Sequence, residues 1–196
     1  MNGGGTALGI LAGGRGERLG GVAKAWLERD GVPQVVRMAQ RLQGRVEAVL
    51  VSANPADAAE VQRYAAAELQ VVHDLRPGRL GPLAGLEALA QACMQPWLLT
   101  VPVDLYDFND CLLQSLAAAG PDGAVAEDDD GVQPLVALYS TARLRVAAAQ
   151  ALDRGDYAPR RLQAELGLPR VRLAGVRFGN LNVPADLTAA GVRLPP

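Results

Sequence analysis

The stretch Leu11–Lys24, LAGGRGERLGGVAK, brings glycines and cations together, and two carboxylates, Asp74 and Asp104, each follow an apolar run. Gly13, Gly14, Gly16, Gly20 and Gly21 let a backbone turn sharply and approach a ligand closely, with N–H groups aimed at it. Arg15, Arg18 and Lys24 add positive charge to the same loop. A polyphosphate is the natural guest, and a loop of this kind is built to hold a nucleotide. Triphosphates travel with Mg2+, which takes one or two carboxylates together with phosphate oxygens and water. Asp104, in Pro102-Val103-Asp104, is the obvious metal ligand, its plainer reading being a helix cap. Asp74, in Val72-His73-Asp74, has the acceptors for a base or ribose, or is a surface turn residue. Gly81-Pro82 ahead of an alanine-rich stretch reads as a tight helix start whose N–H groups suit a base edge or a phosphate. His73 reads as a strand-end residue.

Spacing excludes two commoner glycine loops. A P-loop needs GxxxxGK followed by Ser or Thr, whereas Lys24 sits between Ala23 and Ala25. The dinucleotide fingerprint GxGxxG fails at Leu19, and the second strand ends Val51-Ser52-Ala53-Asn54 with no acidic residue for a ribose. The chain has one histidine and two isolated cysteines, Cys93 and Cys111, so a thiolate–histidine metal site is excluded and free buried thiols are expected.

The elements that must position these residues follow from the pattern. Short β-rich runs at Ala7–Leu11, Val46–Val51, Leu69–Val72, Trp97–Val101 and Gly123–Ala126 alternate with helical stretches at Gln34–Leu42, Pro55–Ala67, Leu83–Met94 and Asn109–Ala118. Such alternation predicts βαβ units and a mostly parallel sheet, with ligands beyond the carboxyl ends of the strands. The glycine loop and Asp104 both fall at that edge. Leu135–Leu138 and Val171–Leu173 read as further strands, one of them a candidate antiparallel member. Glu127-Asp128-Asp129-Asp130-Gly131 reads as a solvated turn, and Trp26 and Trp97 as packing residues. Arg160 and Arg161 suit either an anionic ligand or a helix surface.

At 196 residues and 49% hydrophobic, the chain is expected to form one domain over residues 1–196, with residues 1–5 flexible. A net charge of −2 argues against nucleic acid as a partner. No apolar run has the length of a membrane span and the start lacks a signal pattern, so a cytoplasmic location is expected.

Taken together, LAGG-x-G-x-R-x-GG-xx-K, Gly81-Pro82-Leu83-Ala84-Gly85-Leu86, Pro-x-Asp at 102–104, Gln133-Pro134-Leu135 and Phe178-x-NLNVPADL resemble the molybdenum cofactor guanylyltransferase family over nearly the whole chain. The resemblance implies a three-layer, Rossmann-like α/β fold of the nucleotide-diphospho-sugar transferase type. It also implies transfer of GMP from GTP to molybdopterin with release of pyrophosphate. By position, Leu11, Ala12 and Gly13, with Gly14, match the backbone that holds the guanine nucleotide. Lys24 and Arg18 match phosphate contacts, Asp74 the nucleotide-binding carboxylate and Asp104 the magnesium ligand. Asn180 and Asn182 match the asparagines on the pterin side. Molybdoenzyme acceptors or maturation proteins would be the downstream partners.

Three positions depart from the family pattern. Ala23 replaces an Asp before the lysine. Ser52 stands where an Asn contacts the nucleotide and has fewer hydrogen bonds to offer. Val103 replaces a Cys that the chemistry does not need. A related transferase using another base, such as a molybdopterin cytidylyltransferase, and a non-catalytic GTP- or molybdopterin-binding protein are the alternatives.

Overall fold

The computed structural model describes residues 5–13, 23–55, 57–78, 80–105, 111–179, 181, 184–189 and 191–192. Expectations about Gly14, Arg18 and the rest of the 14–22 loop, about Asn180 and Asn182, and about the first four residues fall outside this set.

The sheet begins with β1 (Thr6–Leu11), buried at every position. Leu8 and Ile10 pack on one face, Ala7 and Leu11 on the other, the period of two expected of a strand covered on both sides. A two-residue hairpin, β2 (Glu28–Arg29) and β3 (Val32–Pro33), follows, with Asp30 and Gly31 at φ 54° and 75° in its turn. Asp-Gly between paired residues is a hairpin signal, and the sequence reading passed over it. Next come α1 (Gln34–Arg41), β4 (Ala48–Ser52), α2 (Ala58–Ala66), β5 (Gln70–Val72), α3 (Pro82–Ala92), β6 (Trp97–Pro102) and α4 (Leu112–Ala118). The Asp57 side chain caps α2 by accepting from Glu60 N–H at 2.9 Å, which sets the start of that helix three residues after Pro55. The chain then forms β7 (Gly123–Asp128), β8 (Gly131–Ser140), α5 (Thr141–Asp153), α6 (Pro159–Glu165), β9 (Arg170–Arg172) and α7 (Pro184–Ala189).

Seven of the described strands form one sheet in the order β5-β4-β1-β6-β8-β7-β9. The pairs β5/β4, β4/β1, β1/β6 and β7/β9 are parallel; β8 runs antiparallel to both neighbours. The expected mostly parallel sheet is therefore present, with β8 as its antiparallel member. Helices α1, α2 and α4 cover one face through Val35, Met38, Tyr64, Leu112 and Leu116. Helices α3, α5 and α6 cover the other through Leu83, Leu86, Leu89, Leu144, Ala148 and Leu162.

The first four strands of the chain to enter this sheet lie in the order third, second, first, fourth. The chain reverses direction across the sheet between β1 and β6, where open α/β sheets leave a crevice at their carboxyl edge. Register puts Leu11 opposite both Ser52 and Pro102 there, and Ser52 opposite Val72. The pairing continues one residue further, with Ala12 N–H on Ser52 carbonyl (2.8 Å), Val103 N–H on Leu11 carbonyl (2.9 Å) and Ala53 N–H on Val72 carbonyl (3.1 Å). The residues beyond these bonds form the floor of the site.

Candidate active site

Lys24 opens a single 3-10 turn, Lys24–Trp26, behind the glycine loop. Its Nζ donates to Asp104 Oδ2 at 2.7 Å, with the two side chains 20% and 22% exposed. The turn is held from below by Ala25, Trp26 and Leu27, all buried, and Trp26 leans on Tyr64 with ring centroids 4.8 Å apart. Leu27 carbonyl accepts Gln34 N–H at 2.8 Å, and the buried Gln34 side chain donates Nε2–H to Leu105 carbonyl at 2.8 Å. Gln34, in sequence simply the first residue of a predicted helix, thus ties the segment after Lys24 to the residue after Asp104. A polar residue opening an otherwise apolar helix face is the signal that was available. On the far side, the N–H of Leu181 donates to Asp104 carbonyl at 3.0 Å. That bond ties Leu181 to the residue expected to hold the metal; Asn180 and Asn182 lie outside the described residues.

The opposite rim is built from the ends of β4 and β5. Asn54 Nδ2 donates to Asp74 Oδ2 at 3.0 Å, and Asp74 N–H returns a bond to Asn54 Oδ1 at 3.2 Å. The two loops are stitched by one carboxamide, which has both a donor and an acceptor to give. The Ser52 side chain, expected at the nucleotide, is only 3% exposed and faces helix α3. A Cβ on Gly85 would lie 2.6 Å from Ser52 Oγ and 2.8 Å from Leu11 Cδ2, so the glycine of GPLAG is what lets helix and strand close over that hydroxyl. Asn54, two residues further, is the amide that reaches the rim.

Helix α3 begins where expected. Gly81 has φ 72° and precedes Pro82 at the first helical position, both exposed at the site edge. Ala12 is half-buried with its N–H taken by Ser52, while Gly13 is exposed with open space around it. His73 is exposed at its strand end.

Two expectations are corrected. Asp128 is not solvated: it is 1% exposed and its carboxylate accepts from Gln133 Nε2 (2.9 Å), Asp130 N–H (3.0 Å) and Phe178 N–H (3.1 Å). Burial pushes this carboxyl up, but those bonds outweigh it and hold the group below the usual carboxylate range. Asp128 thereby fixes the chain just ahead of the 180–182 segment. Cys111 is exposed, whereas Cys93 is buried as expected.

The Asp104 carboxylate, 22% exposed and paired with Lys24, offers hard oxygens of the kind that Mg2+ takes together with phosphate oxygens and water. Asp104 would hold it, and the metal would neutralise phosphate charge there.

The model of the MobA-like NTP transferase domain matches residues 8–171. A molybdenum cofactor guanylyltransferase of Pseudomonas aeruginosa is 34% identical over 181 residues, spanning 89% of each chain. The chain belongs to the molybdenum cofactor guanylyltransferase family. A guanylyltransferase of Acidiphilium cryptum is 39% identical over 191 residues, 92% of this chain and 91% of that one. The fold is shared with molybdopterin-guanine dinucleotide biosynthesis protein A of Archaeoglobus fulgidus, at TM-score 0.71 and 20% identity, covering 94% and 96% of the two chains.

Within this guanylyltransferase family the three departures now have positions. Val103 is 4% exposed and packs in the α1/α2/α4 core, a purely apolar role. Ala23 occupies the cap position of the 3-10 turn and offers it no side-chain hydrogen bond. Ser52 is buried as described above. Arg160 lines a cleft of about 680 Å3 with Asp130, Val132, Gln163 and Arg170, and its Nη2 donates to Val132 carbonyl at 3.3 Å. Arg161 turns away to Asp156 at 3.3 Å and is largely exposed.

Proposed function

We propose that this chain transfers GMP from GTP to the terminal phosphate of molybdopterin, giving the guanine dinucleotide cofactor and pyrophosphate. The observation that carries this reading is the Lys24–Asp104 pair at the crevice between β1 and β6, where an ammonium and a carboxylate meet. The guanylyltransferase relatives support the base and the acceptor.

The chemistry needs little more than charge control. A phosphate monoester has a second pKa of about 6, so the acceptor is mostly dianionic at neutral pH and needs no general base. An oxygen of that phosphate bonds to the α-phosphorus of GTP as the bond from the α-phosphorus to the β-bridging oxygen breaks, and pyrophosphate leaves with the electron pair. Repulsion between the two anions is the main obstacle. Mg2+ on Asp104 would screen the triphosphate and stabilise charge on the departing pyrophosphate. Lys24 exchanges its carboxylate partner for phosphate oxygens, and Arg18 and the N–H groups from Gly13 and Gly14 add further donors. Asp74, steadied by Asn54, takes the base or ribose, and the exposed α3 start at Gly81-Pro82 offers N–H groups to a base edge or phosphate. The family resemblance assigns Asn180 and Asn182 to the pterin side, and Arg160, which lines its own cleft, is a further cation available to an anionic acceptor. The reaction is assigned to the cytoplasm, and molybdoenzyme acceptors or maturation proteins would receive the product.

The test is pyrophosphate release from GTP and Mg2+ with and without molybdopterin. Release that depends on molybdopterin is expected. GTP binding without release under either condition would instead identify a carrier.

A further inference from the structure

We infer that Arg76 is a positioning residue for nucleotide binding, anchoring the β5–α3 loop so that Asp74 stays at the rim. The inference rests on the nucleotide reading of that rim. Its guanidinium spans three partners on two helices. Nε donates to both Glu87 oxygens at 3.0 Å and Nη2 to Oε1 at 2.8 Å; Nη1 reaches Asp153 Oδ1 at 2.6 Å, and Nη2 reaches Ala149 carbonyl at 3.2 Å. Glu87 lies on α3 with its side chain 4% exposed, while Asp153 and Ala149 belong to the end of α5.

Leu80, at the far end of the loop, packs on the core under α3 and α5, while the stretch nearer Asp74 is open. His73, Leu75, Pro77 and Gly78 are exposed, Leu75 at 59%. Among the described residues, Asp74 meets the neighbouring strand through the exposed Asn54 bonds at 3.0 and 3.2 Å. Arg76, two residues on, ties the stretch next to Asp74 to the helix layer through polar bonds. A buried carboxylate facing a planar fork of donors is a rigid arrangement, because guanidinium and carboxylate match in two parallel bonds. Fixing position 76 limits how far Asp74 can move, and Asn54 then sets its orientation.

Removing Arg76 alone would strand the buried Glu87 charge, so the main variant is Arg76→Met with Glu87→Met, which replaces the pair by apolar groups of similar length. Arg76→Lys is the second variant, keeping a charge near Glu87 without the fork. Binding of a fluorescent GTP analogue, together with KM and kcat for pyrophosphate release, is measured on the parent and both variants. The expected result is a Kd and KM for GTP raised on the order of 10-fold in the double variant and less in Arg76→Lys, with kcat and the molybdopterin KM unchanged, the pattern of a lost positioning contact. A residue serving only overall stability would reduce the active fraction and leave the KM for GTP where it was. Unchanged GTP affinity in the folded variants overturns the positioning role. A parent that binds no GTP overturns the nucleotide reading, and this inference with it.

Discussion

Lys24 Nζ donates to Asp104 Oδ2 at 2.7 Å, joining positions 80 apart in the chain across the crevice between the first and sixth strands. The lysine and the carboxylate neutralise each other there. In the proposed reaction a triphosphate and its metal would give each a new partner of opposite sign, phosphate for the lysine and cation for the aspartate.

Asp104→Asn keeps the size of the side chain and removes its charge. Transfer is expected to fall at least ~100-fold, on the scale of losing one major electrostatic contributor. Stability should change by only about 1 kcal/mol, since the pair is partly exposed. Steady-state turnover and a melting curve on the same sample check both; near-normal turnover would place the metal elsewhere.

Ala23 and Lys24 are tested together. Lys24→Ala should remove most turnover at saturating Mg2+. An Asp at position 23 sits where a side chain can cap the turn that presents Lys24, so Ala23→Asp should leave turnover unchanged or raise it. A loss there would mean that the new carboxylate faces phosphate and repels it. Lys24→Ala reacting as fast as the parent would reduce that lysine to a surface charge.

GTP with Mg2+ should raise the melting temperature more than CTP with Mg2+, because a ligand that binds only the folded state stabilises it. Equal or larger shifts with CTP contradict the guanine assignment.

Asp128→Asn should cost about 1.5–3 kcal/mol at pH 7, the range for hydrogen bonds to a charged group. The folded carboxyl titrates below its unfolded value of about 3.9, so its contribution is complete above that value and is lost as pH falls through the lower, folded one. Denaturant midpoints of parent and variant at neutral and acidic pH check this. A gap that widens on acidification contradicts it.

The sheet was legible in the sequence because apolar runs ending at Leu11, Val72 and Val101 alternate with helical stretches, and their carboxyl ends had to share an edge. Asp74 and Asp104 were legible as carboxylates just past two of those ends, and Lys24 as the cation that closes the glycine-rich stretch after Leu11. Helix α5 was there to be read in Leu144, Ala148, Ala151 and Leu152, all buried along one side, yet it was not assigned. Other features depend on partners far away in the chain. Asp128 looks solvated inside Glu127–Gly131 and becomes buried because Phe178, 50 residues later, donates its N–H. Asn54 gains its role only when the β4/β5 register sets Ser52 beside Val72 and carries Asp74 within reach. Ser52 turns inward because Gly85 leaves room for its hydroxyl, a fact of helix–sheet packing that no local pattern contains.

The most direct measurement follows labelled phosphorus through the reaction with molybdopterin and Mg2+. GTP labelled at the α-phosphorus should pass its label to the molybdopterin product, GTP labelled at the γ-phosphorus should release its label as pyrophosphate, and CTP should transfer far more slowly. An α-label that stays in GTP or appears as GDP, or CTP transferring as well as GTP, would contradict guanylyl transfer at the Lys24–Asp104 site.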